Sequence, residues 1–469
     1  MEDIVERLRQ LVGDAHVTSG EEISPEDTHD ESLTGSSVVP LAVVRPGTTA
    51  EVAALLALAD AERLAVVARG SGTGLSGGCR PLADGLVVAF DRMDRILDID
   101  LENHVAVVQP GVTLEQLDAA LRPLGLVYPV YPGEQSASIG GNVGTNAGGM
   151  RAIRYGVTRQ RVLGLEAVLA GGEVIRTGGR YVKSSAGYDL TQLLIGSEGT
   201  LALVTEATLK LEPRLAHQAT VLAPFATLEE VARTVPAVVA SGVAPSVLEY
   251  LDALAMGSIT AAAGLELGVP AAVTAAALAY LVVVVESTHQ DRVDADVEAV
   301  ATLLAERGAL DVYVLPPSAG ANLIVARERA FYVSKAAGAD DLVDTVVPRA
   351  AIPGYLATAA ELAASHGALI SGCGHVGDGN VHLSVFLPEA QARAELIGAL
   401  IGEAMAVGGA ISGEHGIGID KQPYFLALED PTKLRLMRAV KEAFDPNGIL
   451  GPGRLLDPAV AGAPVGDTA

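Results

Sequence analysis

The chain has 469 residues, 49% of them apolar and 19% charged, a balance that excludes disordered and fibrous classes and leaves room for two or three cores. Its net charge of −25 repels phosphate backbones, so nucleic acid is not expected as a partner. The two cysteines, Cys79 and Cys373, form neither a disulfide framework nor a zinc ribbon and suit a reducing cytosol.

The acidic start, Met1-Glu2-Asp3, lacks the basic and apolar regions of a signal peptide, so a cytoplasmic protein is expected. Leu41-Ala42-Val43-Val44 reads as a strand ended by Arg45-Pro46-Gly47. Thr49 is then expected to cap a helix with Val52, Leu55, Leu56 and Ala59 on one face. Strands follow at 65–68, 86–90, 105–109, 165–169 and 201–211, and Thr113 caps a second helix closed by Pro123 and Gly125. From about Leu215 the glycine clusters vanish, and strands such as Tyr280–Glu286 alternate with amphipathic stretches such as Asp291–Arg307, as in an antiparallel sheet packed on helices. The uncharged stretch Leu267–Val285 has about the length of a membrane span, but Pro270 and the β-branched run at its end give a helix or loop followed by a buried strand. Asp430–Phe444 reads as one amphipathic helix, stopped at Asp445-Pro446-Asn447-Gly448, and a loose terminus is expected beyond Asp457.

Glycine is abundant, at 52 residues, and clustered where backbone must turn sharply or approach a ligand. Arg69-Gly70-Ser71-Gly72-Thr73-Gly74-Leu75-Ser76 follows a predicted strand. A nicotinamide-type Rossmann turn would open a helix here, whereas Pro81, Asp84 and Gly85 give a turn, so the segment reads as an anion nest for a pyrophosphate. The second cluster runs from Pro132-Gly133 through Ser138-Ile139-Gly140-Gly141-Asn142 to Asn146 and Gly148-Gly149. It offers amides and hydroxyls along an extended wall, suited to a large flat ligand with a diphosphate. A third, Gly196-Ser197-Glu198-Gly199, precedes the strand containing Val204.

Three of the nine histidines fall in two further glycine-rich motifs, Gly372-Cys373-Gly374-His375-Val376-Gly377-Asp378-Gly379-Asn380-Val381-His382 and Gly413-Glu414-His415-Gly416. His382 projects from the start of a strand and His375 from the turn before it. Two imidazoles and the Glu414 carboxylate make a divalent-metal site with open positions; Glu414 and His415 are adjacent, so in extended backbone their side chains diverge and one can ligate metal while the other faces substrate. Asp378 reads as a turn residue and Cys373 as a small packed one. Arg327 has the planar fork that a carboxylate substrate needs, although by sequence alone it also reads as a helix-surface residue.

The three flavin-type glycine segments, in this order, resemble the FAD-binding domain of the vanillyl-alcohol oxidase flavoproteins. They are closest to the branch of glycolate oxidase flavoprotein subunits, bacterial D-lactate dehydrogenases and D-2-hydroxyglutarate dehydrogenases. The resemblance spans roughly residues 35 to 455 and implies an α+β chain: a two-subdomain FAD-binding domain (1–214), a substrate or cap domain with an antiparallel sheet and helices (215–410), and a C-terminal segment (411–469) returning to the first. It implies that Arg69 to Ser76 bind the FAD pyrophosphate and that Pro132, Gly133, Ser138, Ile139, Gly140, Gly141, Asn142, Asn146 and Gly149 line pyrophosphate and isoalloxazine. Glu198, Gly199 and Val204 would add backbone contacts. No histidine lies between Val67 and Pro81, so the FAD is expected to be noncovalent.

In the metal-dependent branch the counterparts of His375, His382 and Glu414 hold Zn²⁺, Mn²⁺ or a similar ion, and the residue matching His415 is the base. Arg327 matches a substrate arginine, and Asn380 and Lys335 are further candidates for the substrate. The expected reaction is oxidation of a D-2-hydroxy acid such as D-lactate or glycolate to the keto acid. Phe331 stands where dicarboxylate-specific relatives carry a threonine, which argues against a second carboxylate. The electron acceptor stays open between a quinone, a cytochrome, an iron–sulfur centre and an electron-transfer protein, and a homodimer is expected. Two other readings remain: an FAD-bearing electron-transfer subunit that needs an iron–sulfur partner, and a metal hydrolase whose glycine segments bind a nucleotide.

Overall fold

The structure is a computed structural model that describes residues 2–456. Met1 and the stretch past Leu456, including the terminus expected to be loose, lie outside the described residues. Near the N-terminus, strands Ala42–Val44, Leu86–Ala89 and Val66–Arg69 pair in parallel, with Val17–Ser19 antiparallel at the edge. These short runs of Val, Leu and Ala are almost wholly buried, as parallel strands covered on both faces must be. The crossover helix Thr49–Glu62 buries Val52, Leu55, Leu56 and Ala59. Its cap is Thr48 rather than Thr49: Thr48 Oγ1 accepts from the Glu51 amide at 3.1 Å, while Thr49 Oγ1 donates to Glu166 at 2.6 Å.

A second, antiparallel sheet runs Ile96–Asp100, Val105–Val108, Leu203–Lys210, Val162–Val168, Val174–Gly178. The helix Leu114–Leu121 beside it opens with a capping box between Thr113 and Gln116. The C-terminal segment comes back to the first sheet, where the Val66 amide donates to the Ile449 carbonyl and the Gly451 amide to the Val66 carbonyl.

The rest of the chain is built on a seven-stranded antiparallel sheet in the order Tyr313–Val314, His217–Phe225, Ala279–Ser287, Val247–Asp252, Leu369–Gly374, Asn380–Phe386, Asp341–Val346. Both faces of its centre are covered. Leu281, Val283 and Leu383 pack with helices Leu228–Ala240, Ile352–Ser365 and Ala390–Ala406, whereas Tyr280, Val282 and Leu251 face helices Ala253–Ala263 and Pro317–Glu328. This double coverage explains the unbroken apolar run of residues 279–285. The uncharged stretch before it resolves into the short helix Ala271–Ala276 and this strand. No helix among the described residues is long and apolar enough to cross a membrane.

Candidate functional site

Two large cavities meet at the Glu414–His415 peptide. The first, of about 1340 Å³, is walled by the glycine segments: Gly70, Ser71, Gly72, Thr73, Gly74, Leu75 and Ser76 on one side, Ser138, Gly140, Gly141 and Asn142 on another, with Glu198, Gly199, Val204 and Pro132 completing it. The two principal segments touch, for a Cβ on Gly70 would run into Ser138 Oγ. The second segment is not the extended wall expected from its composition. Its middle winds into a helix, Ile139–Thr145, because Ser138 accepts from the Gly141 amide at 3.2 Å and tertiary packing outweighs three glycines. The helix turns Asn142 toward the cavity, where its buried Nδ2 has no partner in the protein.

Several residues expected on this wall lie behind it. Arg69 donates to the carbonyls of Glu26 (2.5 Å) and His29 (2.7 Å), and so fastens the N-terminal segment instead of reaching the cavity. Ile139 is fully buried, and Asn146 ends the short helix at φ 55°. Gly149, at φ 116°, bridges to Tyr131 where a Cβ would overlap the Tyr131 carbonyl. Gly133 lines the second cavity rather than the first. Arg454 is 1% exposed and donates to the Gly78 carbonyl at 2.7 Å and to that of Arg80, which fixes the end of the first glycine loop.

The second cavity, of about 1230 Å³, lies on the face of the seven-stranded sheet that carries helices Ala253–Ala263 and Ala330–Ala336. It contains Arg327, His375, His382, Glu414 and His415. Strand and turn bring the two imidazoles together as the motif implies: their ring centroids are 5.0 Å apart, and Glu414 Oε1 lies 3.1 Å from His375 Nε2 and 3.4 Å from His382 Nε2. Asp378 accepts from the Asn380 amide at 3.1 Å, a local turn bond. His415 stacks on His382 at 5.0 Å and lines both cavities.

Two buried acids that no motif announced organise this cluster. Glu249, in Val247–Asp252, places Oε1 2.5 Å from His375 Nδ1 and Oε2 2.9 Å from Arg327 Nη2, so one carboxylate holds both an imidazole and the guanidinium. Asp344, in Asp341–Val346, accepts at Oδ2 from Ser412 Oγ (2.8 Å) and the amides of Gly413, Glu414 and His415 (2.9–3.0 Å), and at Oδ1 from Asn380 Nδ2 (2.7 Å). Glu198 accepts from the next amides, Ile417 and Gly418, both at 2.7 Å. The 413–418 loop is therefore gripped from the seven-stranded sheet through Asp344 and from the third glycine segment through Glu198.

Burial opposes charge on all of these groups, and their partners decide the outcome. Burial would discharge Asp344 and Glu414, but His415, Lys421 and His382 hold the first well below the ordinary carboxylate range and His375 does the same for the second. Burial would likewise neutralise His375, yet Glu249 and Glu414 keep its proton affinity well above that of a free imidazole. For His415 burial wins, taking it down to about 4 against the pull of Asp344.

Two sequence candidates fall outside the pocket lining. The Asn380 carboxamide is turned to Asp344 and to the Thr345 carbonyl, both its N–H groups being used there. Lys335 Nζ pairs with Glu31 at 2.6 Å on the outer side of its helix. Asp344→Asn is expected to cost about 3 kcal/mol, because an amide N–H₂ then faces buried donors that lose their acceptor. A urea-unfolding midpoint unchanged from the parent would remove Asp344 as the anchor of the loop.

Comparison with known proteins agrees with this architecture. The family described as "FAD linked oxidases, C-terminal domain" matches residues 214–455, and "FAD binding domain" matches residues 40–178. An uncharacterized FAD-linked oxidoreductase of Mycobacterium tuberculosis is 52% identical over 97% of this chain and 99% of its own length. A D-lactate dehydrogenase of Archaeoglobus fulgidus is 37% identical over 92% of this chain and 96% of its own. Among solved structures, p-cresol methylhydroxylase shares the fold, with a TM-score of 0.81 at 18% identity over 97% of both chains.

Proposed function

We propose that this chain, which belongs to the FAD-linked oxidase family, oxidises a D-2-hydroxy acid of the D-lactate or glycolate class to the 2-keto acid. One observation carries the reading: Glu414 and His415 line both cavities, so an acid held by Arg327 would meet the cofactor wall at these two residues. The glycine-walled cavity fits a noncovalent FAD, with the unpartnered Asn142 Nδ2 and the loop amides of 70–76 as its donors. His375, His382 and Glu414 fit a divalent ion, Zn²⁺ or Mn²⁺, since two imidazoles and a carboxylate converge with their ligand atoms within 4.8 Å of one another. When bound, the flavin supplies the hydride acceptor and the ion a Lewis acid.

The protein's own groups supply the rest. Arg327 offers its fork to the substrate carboxylate; its Nη2 is ion-paired with Glu249 at 2.9 Å, but neither Nη2 nor Nε has a hydrogen-bond partner in the protein. His415 takes the hydroxyl proton, its ring fixed by the His382 stack and its backbone by Asp344.

A dye-linked assay of the isolated chain tests this. D-Lactate or another D-2-hydroxy acid should be consumed with one keto acid formed per two-electron reduction of dye, and the L-isomers should react at least about tenfold more slowly, since Arg327 and His415 fix two of the substituents on the reacting carbon. A chain that holds flavin but oxidises no acid would instead be the electron-transfer subunit of a larger complex. The chain carries no Cys-rich iron–sulfur motif, so such a centre would come from a partner chain.

A further inference from the structure

The second cavity extends well past the His375–His382–Glu414 cluster, and its shape follows from strand register. Leu369–Gly374 and Asn380–Phe386 pair antiparallel, with Cys373 opposite His382, Ser371 opposite Ser384, and Leu369 opposite Phe386. All six side chains line the cavity, because alternate residues of a strand share a face. At about 3.4 Å per residue, the three rungs form a floor running roughly 14 Å from His382 to Phe386.

The rungs change character along that path. The first carries the chemistry and the last is purely apolar. Between them the serine hydroxyls already have partners, Ser384 with Ser334 at 3.0 Å and Ser371 with Asp252 at 3.3 Å. The roof is made by helix Ala253–Ala263, through Ala255, Ser258 and Ile259, and by helix Ala330–Ala336, through Ala330 and Val333. Leu254, Phe331 and Ser334 of the same helices also line it, so the roof is mostly apolar, with small residues at Ala255, Ser258 and Ala330. Arg327 is the one lysine or arginine of the lining, and it sits with His375 and Glu414 at the first rung rather than at the far end. At the far rung Leu369 is 55% exposed, so the trough opens to solvent there.

We infer that the substrate is a 2-hydroxy acid with a medium-length, uncharged alkyl side chain laid along this ladder toward Leu369 and Phe386. The inference rests on the reading of the site as that of a 2-hydroxy-acid dehydrogenase and names the substrate within it. A methyl side chain, as in D-lactate, reaches no further than the first rung and leaves the apolar end unused. A second carboxylate laid toward Leu369 and Phe386 would meet an apolar rung and no lysine or arginine of the lining.

The test is a homologous series with the holoprotein: D-lactate, D-2-hydroxybutyrate, D-2-hydroxyhexanoate and D-2-hydroxyoctanoate, with D-2-hydroxyglutarate for the charged case. The readouts are kcat/KM with an artificial dye and the Kd of the matching 2-oxo acids, followed by perturbation of the flavin absorbance. Each added methylene should raise kcat/KM and tighten binding by about fourfold, the equivalent of ~0.8 kcal/mol for a buried CH₂. Ser258→Phe, which puts a ring into the roof, should remove most of the octanoate-to-lactate preference at unchanged flavin content. A flat series with active D-lactate, or a preference for D-2-hydroxyglutarate, overturns the trough and leaves the oxidase reading standing. Tightening of the 2-oxo acids with length, without oxidation of any hydroxy acid, upholds the trough and defeats the oxidase reading.

Discussion

Flavin reduction in His415→Ala is expected to slow by about two to four orders of magnitude, with FAD content kept at the parent level. The imidazole stands at the junction of the two cavities, and its stack on His382 fixes the ring plane. Its removal should leave the loop in place, because Asp344 holds that loop through backbone amides rather than through the ring. Arg327 and the metal-type triad are likewise untouched, so the half-saturating substrate concentration in rapid mixing should change less than about threefold. A variant reduced at the parent rate would remove His415 as the base.

Glu414→Gln has the second large effect. Its Oε1 lies between the two imidazoles, and an amide in its place loses the charge and turns either a poorer acceptor or a donor toward them. The purified variant should contain less than about a tenth of the parent's Zn²⁺ or Mn²⁺ by atomic emission, and its turnover should fall about a hundredfold or more. Full metal content in this variant would show that Glu414 is not a ligand. Parent-level turnover in a protein shown to be metal-free would detach the ion from the reaction.

Much of the first half was legible because its strands are short β-branched runs closed by Gly or Pro, as at Ala42–Val44 and Val66–Arg69. The shift of the helix cap from Thr49 to Thr48 reflects two adjacent threonines of equal capping ability. Their division of labour was settled by Glu166, more than a hundred residues away. The helix Ile139–Thr145 was hidden by its glycines, whose low propensity is overridden by a serine cap and by packing on Pro110.

In the site, the histidines and Glu414 were visible because two glycine-rich motifs repeated one kind of chemistry. Glu249 and Asp344 were not, since each sits inside a strand, Val247–Asp252 or Asp341–Val346, that belongs to no glycine-rich motif. A signal was nonetheless available: an acid in the interior of a strand within a buried sheet must find a partner, and both do. Arg69 and Asn380 were drawn toward ligands by their neighbours in sequence, whereas the fold spends their donors on the N-terminal segment and on Asp344. Such long-range claims on a side chain leave no mark in local spacing.

The central claim is tested most directly by mixing the yellow holoprotein anaerobically with a D-2-hydroxy acid, before and after chelation, and following the flavin absorbance. The account predicts bleaching by the D-acid and not by its L-isomer, abolished by chelation and restored by Zn²⁺ or Mn²⁺. Flavin that stays oxidised with every acid of the series, in protein shown to hold both FAD and metal, would contradict it.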